Sequence, residues 1–212
     1  MASRVAATLV AVLALADGRV GRADAARVAR NEAFIGYSER SSVETLRFRL
    51  DDGRAGGVID VRVRRDWAPS VARAIERAVR ACSDRGEGCG EFYRAEATPE
   101  PGAVDNYGGP GPPYALLQGR LSGLEGKIEG EPPMVERGHA CVIGAGPDFF
   151  FATRAHPEWG RAHAVFGEVT EASMVLVDAI AETYSRHPEK WGATNVTVLD
   201  EKLAFSVSIL RE

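Results

Sequence analysis

The sequence predicts a mainly β chain folded as a closed β-barrel with an α-helix at each end. Three observations carry this. Many short extended runs follow one another, glycine and proline punctuate the gaps between them, and only two stretches show helical periodicity, with no βαβ alternation. The chain has 212 residues, 45% of them hydrophobic, with 26 Lys and Arg against 30 Asp and Glu. That is the balance of one soluble globular domain, and it excludes a disordered chain and a polytopic membrane protein. With a small negative charge and only the short basic segment Arg62, Arg64, Arg65, nothing suggests nucleic-acid binding.

Residues 1–16 read as a secretory signal peptide. Arg4 precedes the apolar run Val5–Ala16, and the small residues Ala14 and Ala16 stand just before Asp17 and Gly18. The run has 12 residues, well short of the ~20 a membrane-spanning helix needs, so no stable span is expected after cleavage. The competing reading, a buried N-terminal helix, would have neither a polar face nor a cap. Residues 17–42, rich in Arg and Ala and ending in the polar cluster Ser38–Ser42, read as a polar lead-in or linker. The domain proper then covers 43–212.

Within it, Leu46, Phe48 and Leu50 alternate with Arg47 and Arg49, Asp52-Gly53 marks a turn, and Val58–Val63 runs extended, which together predict a hairpin. Pro69 opens a helix in which Val71, Ile75 and Val79 share a face while Arg73, Arg77 and Arg80 point outward; it ends near Cys82. Short strands are expected around Phe92-Tyr93-Arg94, Ala115–Gln118, Ala140–Ile143, Asp148–Thr153 and Ala164–Val169. A second helix follows, capped by Thr170 and facing inward through Met174, Val177 and Ile180 or Ala181. Val196–Leu199 and the alternating Leu203, Phe205, Val207 and Ile209 close the chain. The stretch 97–113, dense in proline and glycine, reads as a long surface loop.

Cys82 and Cys89 flank a polar, Gly-containing turn that could fold back and let them bridge in an oxidising compartment, and Cys141 reads as a small buried hydrophobe. A loop this short would restrain the unfolded chain by less than ~3 kcal/mol. Asn195-Val196-Thr197 fits a glycosylation sequon at the start of a strand.

Most catalytic signatures are missing. Gly36-Tyr37-Ser38-Glu39-Arg40 lacks the second glycine of a nucleophile elbow, Gly144-Ala145-Gly146 leads into Pro147-Asp148 rather than a dinucleotide loop, and no HExxH occurs. His139, Cys141 and His163 could be drawn as a metal site, but packing alone explains each position. No metal or cofactor is expected. What stands out is an arginine inside a strand, Arg94, with large rings on neighbouring strands. Three consecutive phenylalanines, Phe149–Phe151, must point to both faces of a strand, so at least one ring leaves the interior. An arginine beside exposed rings suggests a groove for something apolar, with one charged hydrogen-bond donor.

Phe92-Tyr93-Arg94, Leu117-Gln118-Gly119, Gly146–Thr153, Pro157-Glu158-Trp159 and His163–Val169 resemble, in order, the sequence blocks of cyclophilin-type peptidyl-prolyl cis-trans isomerases. The resemblance spans about residues 43–210 and is greatest with a divergent plant and algal group. It implies the family's closed eight-stranded antiparallel β-barrel with two capping α-helices. It also implies roles. Arg94 takes the place of the catalytic arginine and Gln118 that of the neighbouring hydrogen-bonding glutamine. Phe150 would line the proline pocket with Leu116 and His163, and Trp159 would border the groove. The pattern is broken at Tyr93, where a histidine is usual, at Ala115, where a phenylalanine is usual, and at Arg120, where a second glycine is usual. Arg120 could fill or repolarise the groove.

The resemblance implies isomerisation of X-Pro bonds in proline-containing polypeptides, and it extends the ligands to cyclosporin-like molecules; with the signal peptide, the expected role is assistance to folding in the secretory pathway, and the expected state is a monomer. The alternatives are a non-catalytic cyclophilin-like module binding a peptide or carbohydrate, and an unrelated β-rich binding domain. They separate on whether Arg94, Gln118, Phe150 and His163 share one surface.

Overall fold

The structure, a computed structural model, describes residues 44–51, 57–85, 88–104 and 114–211. The predicted signal peptide and lead-in, the 52–53 turn and residues 105–113 of the long loop lie outside the described residues.

Among the described residues, nine strands and two α-helices follow in the order β1 (Glu44–Leu50), β2 (Val58–Val63), α1 (Pro69–Arg85), β3 (Gly90–Glu96), β4 (Leu116–Leu121), β5 (His139–Val142), β6 (Asp148–Ala152), β7 (Ala164–Val169), α2 (Glu171–Thr183), β8 (Arg186–Trp191) and β9 (Thr194–Arg211), with a 3-10 turn at Pro157–Trp159 between β6 and β7. Eight of them pair antiparallel in the order β1-β2-β7-β5-β6-β4-β3-β9, and β9 returns to β1, closing the barrel. The ninth, β8, was not expected. It forms a hairpin with the first part of β9, from Trp191 opposite Thr194 to Arg186 opposite Leu199. Its sequence, Arg-His-Pro-Glu-Lys-Trp, is almost wholly polar and exposed, so hydrophobic alternation could not announce it.

Closure divides strand residues into two sets. Leu46, Phe48, Ile59, Val61, Phe92, Leu117, Phe149, Phe151, Phe166 and Phe205 belong to the interior core. Leu116, Cys141, Phe150, Ala152 and Val165 form a second, smaller cluster with Val135. The helices pack by the faces expected of them, Val71, Ile75 and Val79 on α1 and Met174, Val177, Ile180 and Ala181 on α2. They sit at opposite ends of the barrel. Ala78 of α1 lies against Gly123, just past the end of β4, while Glu182 of α2 accepts the Thr98 N–H just past the end of β3, 2.9 Å away. Cys82, near the end of α1, is disulfide-bonded to Cys89, directly before β3, with Cα atoms 5.3 Å apart. Cys141 is fully buried, and burial pushes its thiol well above the ordinary range.

One expected cap differs. Thr170 precedes α2, but its hydroxyl bonds the Ser173 hydroxyl at 3.0 Å rather than a helix N–H, and Ser173 Oγ in turn accepts the Asp60 N–H at 2.9 Å. The pair thus ties the helix to β2.

Gly119 shows how tightly the interior is filled. A Cβ there would stand 2.8 Å from the Glu91 carbonyl and 2.8 Å from the Phe92 ring, with Phe149 at 3.2 Å. Gly119→Ala is expected to lower the unfolding free energy by about 1–3 kcal/mol, the usual cost of overpacking a dense core. A reduced urea midpoint at unchanged slope would display it.

Candidate functional site

A β-bulge places the site. On β3, Phe92 lies opposite Gly119 of β4, yet Arg94 lies opposite Gln118, so Tyr93 is the extra residue. The register against β9 shifts at the same point. Strict alternation would have sent Arg94 to the same side as Phe92, into the core. The bulge re-aims it outward. Arg94 then begins a row that crosses the barrel wall through Gln118, Phe150, Cys141 and Val165.

The polar end of this row is a chain of hydrogen bonds. Arg94 is 6% exposed; its Nε donates to Glu96 Oε1 and its Nη1 to Gln118 Oε1, both at 2.9 Å. Glu96 is buried too and accepts the Thr197 N–H at 2.9 Å. Gln118 donates through Nε2 to the Tyr93 hydroxyl, which donates to Asp148 Oδ1 at 3.0 Å. Burial first, and then the Asp148 carboxylate, push the Tyr93 phenol up to about 12. Arg120 does not enter the groove, since it bonds Asp148 at 3.0 Å with its side chain largely exposed. One donor is left over. Arg94 Nη2 is buried with no partner among the described residues.

The apolar end is built from rings. Phe150 meets Trp159 at 5.6 Å and His163 at 5.1 Å, both edge-on, and Trp159 and His163 are 5.2 Å apart. Leu116 packs in the same cluster. Behind Trp159 the fully buried His156 stacks at 3.6 Å, bonded to Glu158 at 2.8 Å. Burial lowers the pKa of both His156 and His163, so both rings are neutral near pH 7. His163 is held by the Val142 carbonyl, and its Nδ1 is buried without a partner among the described residues.

All six predicted groove residues, Arg94, Gln118, Leu116, Phe150, Trp159 and His163, therefore meet on one outer face of the barrel. The rings are not exposed as expected, however. Phe150 is 1% exposed, with Trp159 and His163 edge-on against it and Tyr114 packed on the same cluster. Tyr114 lies over the Arg94 guanidinium, 4.5 Å from the ring centroid, and packs on the Phe150 cluster as well. It spans the polar and apolar halves of the site. Its φ of 73° and the 23° of Ala115 are both in the left-handed region, a strain of about 1–3 kcal/mol each that surrounding contacts must hold. Trp191, 37% exposed, adds a second ring 5.6 Å from Arg94 and 6.1 Å from Tyr93.

Sequence reasoning missed Glu96, Tyr114, His156 and Trp191. Arg94-x-Glu96 was readable as a same-face ion pair along a strand. Tyr114 and Trp191 gave no signal, since their approach depends on how the chain enters β4 and on the unforeseen β8. Among the described residues no group of His, Cys, Asp and Glu could hold a metal ion, and no helix is long and apolar enough to cross a membrane.

No known protein-family profile matches the chain, and no curated protein matches it significantly. Solved structures do. A Cryptosporidium parvum cyclophilin-type peptidyl-prolyl cis-trans isomerase matches with a TM-score of 0.48 and 9% identity over 80% of this chain and 98% of that one. A structure of the same isomerase in the presence of the dipeptide Ala-Pro matches with a TM-score of 0.47 and 9% identity, over 79% and 98%.

The raised phenol pKa gives a measurable signature. Tyr93 at about 12, against 10.0 for an ordinary tyrosine, contributes stability that is complete below about pH 10 and is lost as pH rises through about 12. Spectrophotometric titration is expected to resolve this late phenol and Tyr93→Phe to abolish it. A Tyr93→Phe titration identical to the parent would contradict the assignment.

Proposed function

We propose that the chain is a cyclophilin-type peptidyl-prolyl cis-trans isomerase of the divergent plant and algal kind. The observation that carries this reading is the unpartnered, buried Nη2 of Arg94 at the edge of the Phe150 cluster. A buried donor left unmade costs about 1–3 kcal/mol, and a carbonyl or an amide nitrogen of a bound peptide would satisfy it.

The chemistry asks for little more. Rotation about X-Pro is slow because resonance gives the C–N bond double-bond character, with a barrier of ~18–20 kcal/mol. Twisting removes that resonance and returns a lone pair to the nitrogen, which becomes a better acceptor. A fixed guanidinium donor then binds the twisted amide more strongly than either planar form, which is the condition for catalysis. Glu96 and Gln118 hold the guanidinium on two of its three nitrogens, leaving the third for substrate. The proline ring would lie against Phe150, Leu116, Trp159 and His163, once Tyr114 moves aside. Cyclosporin-like ligands would need the same displacement.

The Tyr114 ring over Arg94 favours a second reading, a peptide-binding module without turnover. One measurement separates the two. Arg94→Ala is compromised, because it leaves Glu96 buried and unpaired, at a cost of about 3–5 kcal/mol. Arg94→Lys keeps the charge and loses the planar fork. It is expected to retain the parental circular dichroism and melting behaviour while slowing catalysed isomerisation by about 10²–10³-fold, the loss typical of one preorganised donor. A parental chain that binds prolyl peptides but does not accelerate their isomerisation would establish the binding module. An Arg94→Lys variant as fast as the parent would reject the catalytic role.

The secretory location belongs to the same proposal. It is supported by the signal-like opening, by the Cys82–Cys89 bond and by the exposed Asn195 of the β8–β9 hairpin. Expressed in a secreting cell, the chain is expected to begin at Asp17 on N-terminal sequencing; an intact Met1 would refute the cleavage. A monomer is proposed as its working state.

A further inference from the structure

A cavity of about 430 Å³ lies beside the candidate groove, and its lining combines Trp67 and Met134 with Glu131, Glu136, His139 and Arg161. The two share a wall. Trp67 and Val135 pack in the same cluster as Phe150 and Trp159, Val135 stands between Met134 and Glu136, and its carbonyl accepts the His156 N–H at 2.9 Å. The volume is within the ordinary range of ligand pockets but suits a side chain rather than a large cofactor.

The charges of the lining are unequal in availability. Arg161 spends Nη1 on the Pro132 carbonyl. His139 is buried, its Nδ1 accepts the Glu136 N–H at 3.1 Å, and desolvation lowers its pKa, so it carries no charge near pH 7. Glu131 and Glu136 form no ion pair among the described residues. Trp67 already accepts a guanidinium, since Arg64 lies 3.7 Å over its ring, held there by Asp66 and Glu168. Met134 is 46% exposed beside these carboxylates. A cavity with an indole, a thioether and two unspent carboxylates complements an alkyl stem that ends in a positive charge.

We propose that this cavity is a subsite for a lysine or arginine side chain of the bound polypeptide, its stem against Trp67 and Met134 and its charge facing Glu131 and Glu136. The proposal rests on the proline-peptide reading of the adjacent groove. An extended chain advances ~3.3–3.6 Å per residue, so the basic residue would lie a few positions from the proline.

The test is calorimetric titration of the full chain with short peptides that have a central Ala-Pro and one Lys placed at successive positions on either side, each matched by a Gln peptide. At one register the Lys peptide is expected to bind about fivefold to tenfold tighter than its Gln partner. The advantage should shrink at high salt and vanish in the E131Q/E136Q double variant, whose affinity for the Gln peptide stays at the parental value. Equal binding of Lys and Gln peptides at every register would overturn the subsite, as would a lysine preference that survives the double substitution. Replacing the proline by alanine separates the two ideas. A lysine preference that persists while proline makes no difference supports the subsite and defeats the isomerase reading.

Discussion

Phe48, Phe92, Phe149, Phe151 and Phe205 fill the barrel with ring centroids 4.9–6.2 Å apart, several of them edge-on. This packing, enclosed because β1 pairs with β9, decides which way the neighbouring side chains of the wall must point. With Phe149 and Phe151 committed inward, Phe150 must stand outside. With Phe92 inward and Tyr93 bulged, Arg94 must join it. The face that carries Arg94 and Phe150 is thus the exterior counterpart of an interior that has no room to rearrange.

The two halves of that face are stabilised differently. Arg94 is fixed by charge, in a buried pair with Glu96 that the Thr197 N–H also supports. Such a pair contributes little net stability against an apolar replacement, but it fixes the guanidinium's orientation. Phe150, Trp159 and His163 are fixed by packing and by one another's rings. Tyr114 bridges the halves from a strained backbone, so the closed form of the site is held by contacts rather than by the chain's own preference.

Much of this was legible in the sequence. Alternation located β1 and the end of β9, short extended runs between glycines and prolines located the other barrel strands, periodicity of four located the buried face of α1, and the three phenylalanines in a row announced a ring on the outer surface. The ordered motifs named Arg94, Gln118, Leu116, Phe150, Trp159 and His163, which do converge. Three things escaped for physical reasons. β8 is polar on both faces, so it carries no period. Tyr114 reaches Arg94 through two left-handed residues that no propensity favours. The Glu131 and Glu136 cavity is made by a segment without regular structure, where charge is legible but proximity is not.

The bulge at Tyr93 holds slack in the strand. Substituting Tyr93 removes one phenol and its two hydrogen bonds. Deleting the residue would bring Arg94 directly after Phe92 and still opposite Gln118, so ordinary alternation would keep Phe92 and Ala95 inward and Arg94 and Glu96 outward. The opposite event is the damaging one. Were Tyr93 to take a paired place in the ladder, every later residue of β3 would change sides, and Arg94 would face phenyl rings that offer a guanidinium no acceptor. The strand accommodates its extra residue only by leaving it out of the count of pairs.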